Sequence, residues 1–143
     1  MYIRLDVAPD LSNVGEYAAS AVDGMQTVYG IQMDYSVASL AHVDRALQEW
    51  RDGGAQLDTV AQSLYAFGSY AGEVMRRRLK RGDWTVPPKE SYGNVDTLFM
   101  FITLPDGREW RPIAIAVQAL IDGPELSLER SARELLAGKS ERL

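Results

Sequence analysis

The side chains that could perform acid–base chemistry are few in this chain. Asp44 and Glu73 are the one pair of carboxylates that could serve as a general acid and a general base without histidine. His42 is the single histidine, and the chain has no cysteine. A metal site joining His42 to these carboxylates or to Asp34 would need different helices to converge, and no metal-ligand spacing supports one. We therefore predict neither a metal site nor a cofactor.

A nucleophilic serine has no supporting motif either. The chain lacks the Gly-x-Ser-x-Gly elbow that exposes the nucleophile of many hydrolases. The nearest stretch, from Phe67 to Gly72, places Ser69 in the middle of a helical pattern. The lack of these catalytic motifs favours a protein that is not an enzyme.

Glu73 belongs to the longest helical pattern, which runs from Gln56 to Trp84. At about 100° per residue, its apolar residues cover an arc wide enough to pack against more than one neighbour. Gly68 and Gly72 lie on the buried edge, although a glycine within a helix costs about 1 kcal/mol relative to alanine. We therefore expect another backbone to approach this edge. Leucine at Gly72 should overpack the contact, and alanine should be milder.

Basic residues crowd the end of this central helix: Arg76, Arg77, Arg78, Lys80 and Arg81. They can complement the negative end of the helix dipole, with Gly82 ending the helix. They can also bind an anion, in which case Tyr70, Glu73 and Arg77 would border a small-molecule pocket. Glu73 precedes Arg77 by four residues, a spacing that is typical of a surface ion pair.

Asp44 falls on the apolar side of a second predicted helix, over residues 36–51, while His42 points away from that side. A carboxylate on a buried face must be paired, hydrogen-bonded or protonated. Backbone N–H groups or an arginine could supply the partner. Because we expect this helix to dock on the central helix, the Tyr70 hydroxyl and the Trp84 indole are the favoured candidates.

Three further elements are predicted outside these two helices. Alternating apolar residues predict a short strand over residues 3–7. Helical spacing then predicts a first helix over about residues 11–29, with Val28 on its apolar stripe. After the central helix, residues 85–86 are predicted to form another short strand, which a pair of prolines ends.

The last third of the chain predicts a hairpin and two helices. An apolar run, a Pro-Asp-Gly turn and a returning strand form the hairpin over about residues 97–111. Pro112 suits the first position of a helix that ends at Gly123, and Ser127 caps a last helix. The sequence thus predicts a single α+β domain over residues 1–143, with about five helices and a small antiparallel sheet. The N-terminal strand is a candidate edge of that sheet.

The charge of the chain is uneven and limits its partners. The net charge is −5, with nine acidic and three basic residues in residues 1–60 against eleven and twelve in residues 61–143. A net acidic chain argues against nucleic-acid binding. Acidic residues such as Asp10, Glu16, Asp23 and Asp58 could instead face a basic protein partner.

Location and membrane association follow from what the sequence lacks. No apolar run approaches the roughly 18 residues of a membrane span, and the N-terminus has no signal-peptide pattern. The absence of cysteine fits a reducing compartment. We therefore expect a cytoplasmic protein that does not bind membranes. No sequence feature sets its oligomeric state.

Residues 31–136 resemble a family of small uncharacterised bacterial proteins. Members carry an Asp-Tyr-Ser sequence followed by a helical Asp, a Gly-x-Tyr-x-Gly-Glu-Val helix and a following Trp. The matching residues here are Asp34, Ser36, Asp44, Gly68, Tyr70, Gly72, Glu73, Val74 and Trp84. The resemblance implies the same order of helices and hairpin, and it implies no activity.

Two functions are consistent with these observations. The favoured one is a small cytosolic protein-interaction module, such as an adaptor or a toxin-neutralising immunity protein. The other is a small-molecule or anion-binding protein, or a weak enzyme, with its pocket near Tyr70, Glu73 and Arg77. Asp44 and Trp84 complete the candidate binding residues.

Overall fold

The computed structural model describes residues 13–79, 83–85, 100–123 and 125–138. The strand predicted over residues 3–7, the predicted helix end at Gly82 and the first residues of the 97–111 hairpin lie outside these ranges. Within them, the order of elements is α1 (Val14–Tyr29), α2 (Leu40–Asp52), α3 (Leu57–Leu79), β1 (Trp84–Thr85), β2 (Phe101–Thr103), β3 (Glu109–Trp110), α4 (Pro112–Asp122) and α5 (Leu128–Leu136). The predicted α+β class is therefore confirmed, and the described part is mostly helical.

The longest helix, α3, is the element around which the others pack. Its middle section is buried on nearly every side, from Leu64 to Met75. One helix, α1, packs along α3, and α4 packs on it from another side. The wide apolar arc of the sequence pattern therefore contacts two neighbouring helices, as predicted.

The helix α2 begins four residues later than the predicted start at residue 36, because Ser36 forms a turn. The Ser36 hydroxyl accepts a hydrogen bond of 3.1 Å from the backbone N–H of Ser39, and regular helix begins at Leu40. The body of α2 packs against α4 and α5. The prediction that α2 docks mainly on the central helix is therefore wrong.

The sheet has three antiparallel strands in the order β1-β2-β3. Ile102, in the middle strand, pairs with Trp84 on one side and with Trp110 on the other, and all three residues are buried. The turn between β2 and β3 closes through a hydrogen bond of 2.9 Å from the Gly107 N–H to the Leu104 carbonyl. Within the described ranges, the strand next to the predicted hairpin is β1, which follows the central helix.

The last two helices begin as their sequences indicate. Pro112 occupies the first turn of α4, where its missing N–H leaves no hydrogen bond unmade. The Ser127 hydroxyl accepts a hydrogen bond of 3.0 Å from the Arg130 N–H and so caps α5. None of the described helices is both long enough and apolar enough to cross a membrane.

Candidate functional site

The carboxylate of Glu73 is buried and accepts three side-chain hydrogen bonds. The helix α3 places this carboxylate in the core. The Arg76 side chain donates a hydrogen bond to each of its two oxygens, through Nε and Nη2, at 2.9 Å each. The indole Nε1 of Trp84 donates a third hydrogen bond of 2.8 Å. Glu73 is only 6% exposed, so the cluster buries a paired carboxylate beneath the indole ring.

The ionisation of Glu73 follows from these contacts. Burial raises the pKa of its carboxyl, but the hydrogen bonds from Arg76 and Trp84 and the nearby guanidinium charges outweigh burial, and the pKa ends below its ordinary value. Glu73 is therefore ionised at neutral pH. A general acid needs a raised pKa, so this carboxylate does not suit that role.

The two glycines of α3 explain how Trp84 and α4 come so near. A Cβ atom on Gly72 would lie 2.0 Å from Cζ2 of Trp84, and one on Gly68 would lie 2.4 Å from the Cα of Ile113. The expectation of a close backbone is met at Gly68, where α4 crosses α3. At Gly72 the neighbour is instead an indole ring.

The hydroxyl of Tyr70 links α3 to the segment before α2. It accepts a hydrogen bond of 2.8 Å from the Tyr35 N–H and lies 2.6 Å from the Ser39 hydroxyl. Because the single Ser39 hydrogen goes to the Ser36 carbonyl at 2.6 Å, Tyr70 is the donor to Ser39. Burial raises the pKa of Tyr70, which keeps this donor protonated.

Arg77 reaches the same segment from its outer side. Its guanidinium carbon lies 3.6 Å from the centroid of the Tyr35 ring, and that ring contacts Tyr70 at 4.8 Å between centroids. Tyr35 has a φ of 63°, the single positive value among the described non-glycine residues. The contacts of its ring with Arg77 and Tyr70, together with the hydrogen bond to Tyr70, hold this backbone conformation, which tyrosine rarely adopts.

Asp44 receives its hydrogen bonds from the start of α5. Its carboxylate accepts from the Leu128 N–H at 2.8 Å, from the Glu129 N–H at 3.2 Å and from the Ser127 hydroxyl at 2.7 Å. A carboxylate at this position also complements the positive end of the helix dipole. The predicted alternative of backbone N–H partners is therefore confirmed, and Tyr70 and Trp84 are not partners of Asp44, since α2 docks on α5.

The structure thus separates the five predicted site residues into three places. Glu73 and Trp84 meet in one cluster, Tyr70 and Arg77 meet through Tyr35, and Asp44 lies at the start of α5. Three grooves outlined by the described residues contain none of Tyr70, Glu73, Arg77 or Trp84, and Asp44 borders the smallest of them, of about 80 Å³.

A larger groove runs between α1, the end of α2 and the first half of α3, and we call it the α1–α3 groove. Its volume is about 480 Å³, and it is lined by Tyr17, Ser20, Ala21, Gly24, Met25, Val28, Tyr29, Trp50, Gln62, Ser63, Ala66 and Phe67. The rings of Trp50 and Phe67 stack at 5.3 Å between centroids. Val28 lies on the predicted apolar stripe of α1, yet its side chain is 70% exposed.

The sequence contained one sign of this groove that the prediction missed. The apolar stripe of α1 continues to Val28, one turn beyond Met25, which is the last residue that the core covers. Gly24 lies beside this stripe within the continuous helix, and no atom lies within 4 Å of where its Cβ would be. The apolar stripe thus extends beyond the residues that pack on the core, and a glycine beside it faces open space. Both features indicate an uncovered helix face.

A second groove of similar size lies between β3, α4 and α5. Arg111, Arg130, Glu109, Glu125 and Glu134 stand around it, and Ile115 and Leu126 are among its apolar residues. Arg111 is paired with Glu109 at 2.8 Å and Arg130 donates a hydrogen bond to the Glu125 carbonyl, so both guanidinium groups are already engaged. The mixture of charges gives this groove no clear preference for an anion or a cation.

The described residues offer neither a metal site nor an accessible Ser69 hydroxyl. Within the described residues, no group of three or more acidic or histidine side chains could hold a metal ion. Ser69 is fully buried on α3, so its hydroxyl is not accessible to a substrate.

Comparison with protein-family models, with curated proteins and with solved structures finds no match.

Proposed function

We propose that this protein is a small cytosolic protein-interaction module, of the adaptor or immunity type, that binds a basic segment of a partner in the α1–α3 groove. The observation that carries the proposal is the groove itself. Aromatic and aliphatic side chains from three helices line a space of about 480 Å³. Aromatic residues at an accessible apolar groove are typical of the anchoring centre of a protein interface.

The charge around the groove supports a basic partner. The helix α1 carries Glu16 and Asp23 and no lysine or arginine. At the far end, Glu49 accepts a hydrogen bond of 3.4 Å from the Tyr29 hydroxyl, and Tyr29 lines the groove. Acidic residues beside an apolar groove attract a cationic segment and speed its encounter.

Small-molecule or anion binding near Tyr70, Glu73 and Arg77 has less support. The Tyr70 hydroxyl and the Glu73 carboxylate already have intramolecular partners, and both residues are buried. A ligand there would have to displace these partners, which leaves buried polar groups unpaired at about 1–3 kcal/mol each.

The test compares two leucine substitutions on α1. Gly24→Leu fills the groove, and Gly15→Leu lies on the same helix but does not line it. Neither added Cβ meets an atom within 4 Å, so both variants should fold. Tagged parent and variant proteins are used to capture partners from an extract of the source cell, and captured proteins are identified by mass spectrometry.

The expected result is a partner that the parent and Gly15→Leu retain and Gly24→Leu loses. Its association rate with the parent should fall as the salt concentration rises, because exposed charges are screened. If every captured protein binds Gly24→Leu as well as the parent, the groove is not the binding surface and the proposal fails.

A further inference from the structure

We infer that the segment which fills the α1–α3 groove is an amphipathic helix with basic residues along one flank. This inference rests on the proposed function and adds the form of the ligand. Every residue that lines the groove belongs to α1, α2 or α3. The three described strands contribute none, so no strand edge of the described part borders the groove.

The absence of a strand edge argues against a ligand that binds as a β-strand. Such a segment pairs its backbone with an exposed strand, and helix walls offer no such pairing because their own backbone groups are bonded within each helix. A segment that buries its backbone in an apolar groove must satisfy its N–H and C=O groups internally. A helix does this, whereas a single β-strand does not.

The spacing of the lining residues on α1 matches a helix partner. Six of the seven recur at i, i+3 and i+4 spacing, namely Tyr17, Ser20, Ala21, Gly24, Met25 and Val28, and Tyr29 is the seventh. This spacing forms one continuous face, and it is the pattern of a helix that packs alongside another. From Tyr17 to Val28 the face is about 16 Å long at 1.5 Å per residue, which accommodates about three turns of a bound helix.

The middle of this face leaves room for the approach of a helix. Ser20 and Gly24 are small and exposed, whereas larger side chains stand at the two ends, with Tyr17 at one and Val28 and Tyr29 at the other. Packed helices come within about 8–10 Å of each other when small residues meet at the crossing. The stacked Trp50 and Phe67 rings then offer an apolar surface to an anchoring side chain.

The acidic residues of α1 define which partner helix fits the α1–α3 groove. Glu16 and Asp23 are seven residues apart, and helix geometry places both on the side of α1 next to Ser20, about 40–60° beyond the groove face. Two acids at this interval face two basic residues at the same interval on an adjacent helix, as in flanking pairs of coiled coils. The ligand is therefore expected to carry lysine or arginine seven residues apart, beside an apolar stripe.

Three synthetic peptides of about 18 residues test the inference. The first places leucine at helical spacing with lysines seven residues apart along one flank, and the second has the same composition in a strict alternation that favours a strand. The third replaces each lysine of the first with glutamate. Binding to the whole protein is followed by calorimetry, and helix formation in the peptide by circular dichroism.

The expected result is that the first peptide binds and gains helix, and that it binds at least about tenfold more tightly than the other two. Gly24→Leu should weaken its binding by about tenfold or more, whereas Gly15→Leu should leave it unchanged. The double reversal Glu16→Lys with Asp23→Lys should weaken the lysine peptide and strengthen the glutamate peptide. These two acids are exposed, so the reversal should not affect folding.

Four outcomes would overturn the inference. Tighter binding of the alternating peptide would show an extended ligand, and equal binding to Gly24→Leu would place the helix elsewhere. Self-association of the protein that Gly24→Leu abolishes would make a second copy of the chain the occupant. If the cell extract yields a partner sensitive to Gly24→Leu but the helical peptide does not bind, the proposed function stands and the helical ligand is rejected.

Discussion

The carboxylate of Asp44 accepts a hydrogen bond of 2.8 Å from the backbone N–H of Leu128, which lies 84 residues further along the chain. The first turn of every helix leaves N–H groups without a partner inside the helix. In α5 the Ser127 hydroxyl takes one of them, and Asp44 takes two others from outside the helix. One side chain of α2 thereby fixes the position at which α5 begins.

Replacement of Asp44 should weaken this junction. Asp44→Ala leaves the N–H groups of Leu128 and Glu129 without their acceptor, and we expect a loss of about 1–3 kcal/mol in the free energy of unfolding. Asp44→Asn retains one acceptor oxygen and should lose less. Urea unfolding measures both, with the exposed Asp52→Ala as a control on the same helix. A parent-like midpoint for Asp44→Ala would contradict this assignment.

The paired Glu73 should make stability depend on pH. Its pKa is lower in the folded state than in the unfolded chain, so the unfolded state binds the proton more readily in acid. The stabilisation is therefore complete above the ordinary glutamate pKa and is lost as the pH falls below it through the folded value. Glu73→Gln should be less stable at pH 7 by about 1–3 kcal/mol and should lose less stability between about pH 5 and pH 3.

The control for Glu73 is an exposed ion pair. Glu109 pairs with Arg111 at 2.8 Å, but its side chain is 42% exposed, so Glu109→Gln should change stability by less than about 1 kcal/mol. Both variants are unfolded by urea across the same pH series. If Glu73→Gln follows the pH dependence of the parent, the carboxylate is not ionised and paired as described.

Alanine at Gly72 should be destabilising, contrary to the milder effect expected from helix propensity alone. The added Cβ would lie 2.0 Å from the Trp84 ring, so the ring or the helix must shift, at a cost of about 1–3 kcal/mol. Gly24→Ala meets no atom within 4 Å and should instead stabilise the protein by about 0.5–1 kcal/mol. Urea unfolding of the two variants tests this contrast, and an equal effect of both would refute it.

Loss of the Tyr70 hydroxyl should destabilise the segment before α2. Tyr70→Phe leaves the Tyr35 N–H without its acceptor and the Ser39 hydroxyl without its donor, which should cost about 1–3 kcal/mol. The matched control is Tyr29→Phe, whose hydroxyl makes an exposed bond of 3.4 Å and should matter by less than about 0.5 kcal/mol. Thermal or urea unfolding distinguishes them, and similar values for both would count against the Tyr70 network.

The elements of this fold could be predicted from local sequence because local physical chemistry specifies them. Pro112 and Ser127 mark the beginnings of α4 and α5, since proline suits a first turn and a serine hydroxyl can accept a helix N–H. Helical spacing likewise predicts the wide apolar face of α3 and places Asp44 on the packed side of α2. Each of these predictions depends on residues that are near one another in the chain.

The partners of those elements were decided only by the tertiary structure. The sequence required a hydrogen-bond donor for Asp44, but many distant groups could supply one, and only the docking of α2 on α5 selected the Leu128 N–H. The indole N–H of Trp84 donates to Glu73 for the same reason. The strand β1 places the indole ring against Gly72, and the Glu73 carboxylate is then within reach. The α1–α3 groove is a space between three helices, and its shape depends on how far apart they pack, which no local pattern determines.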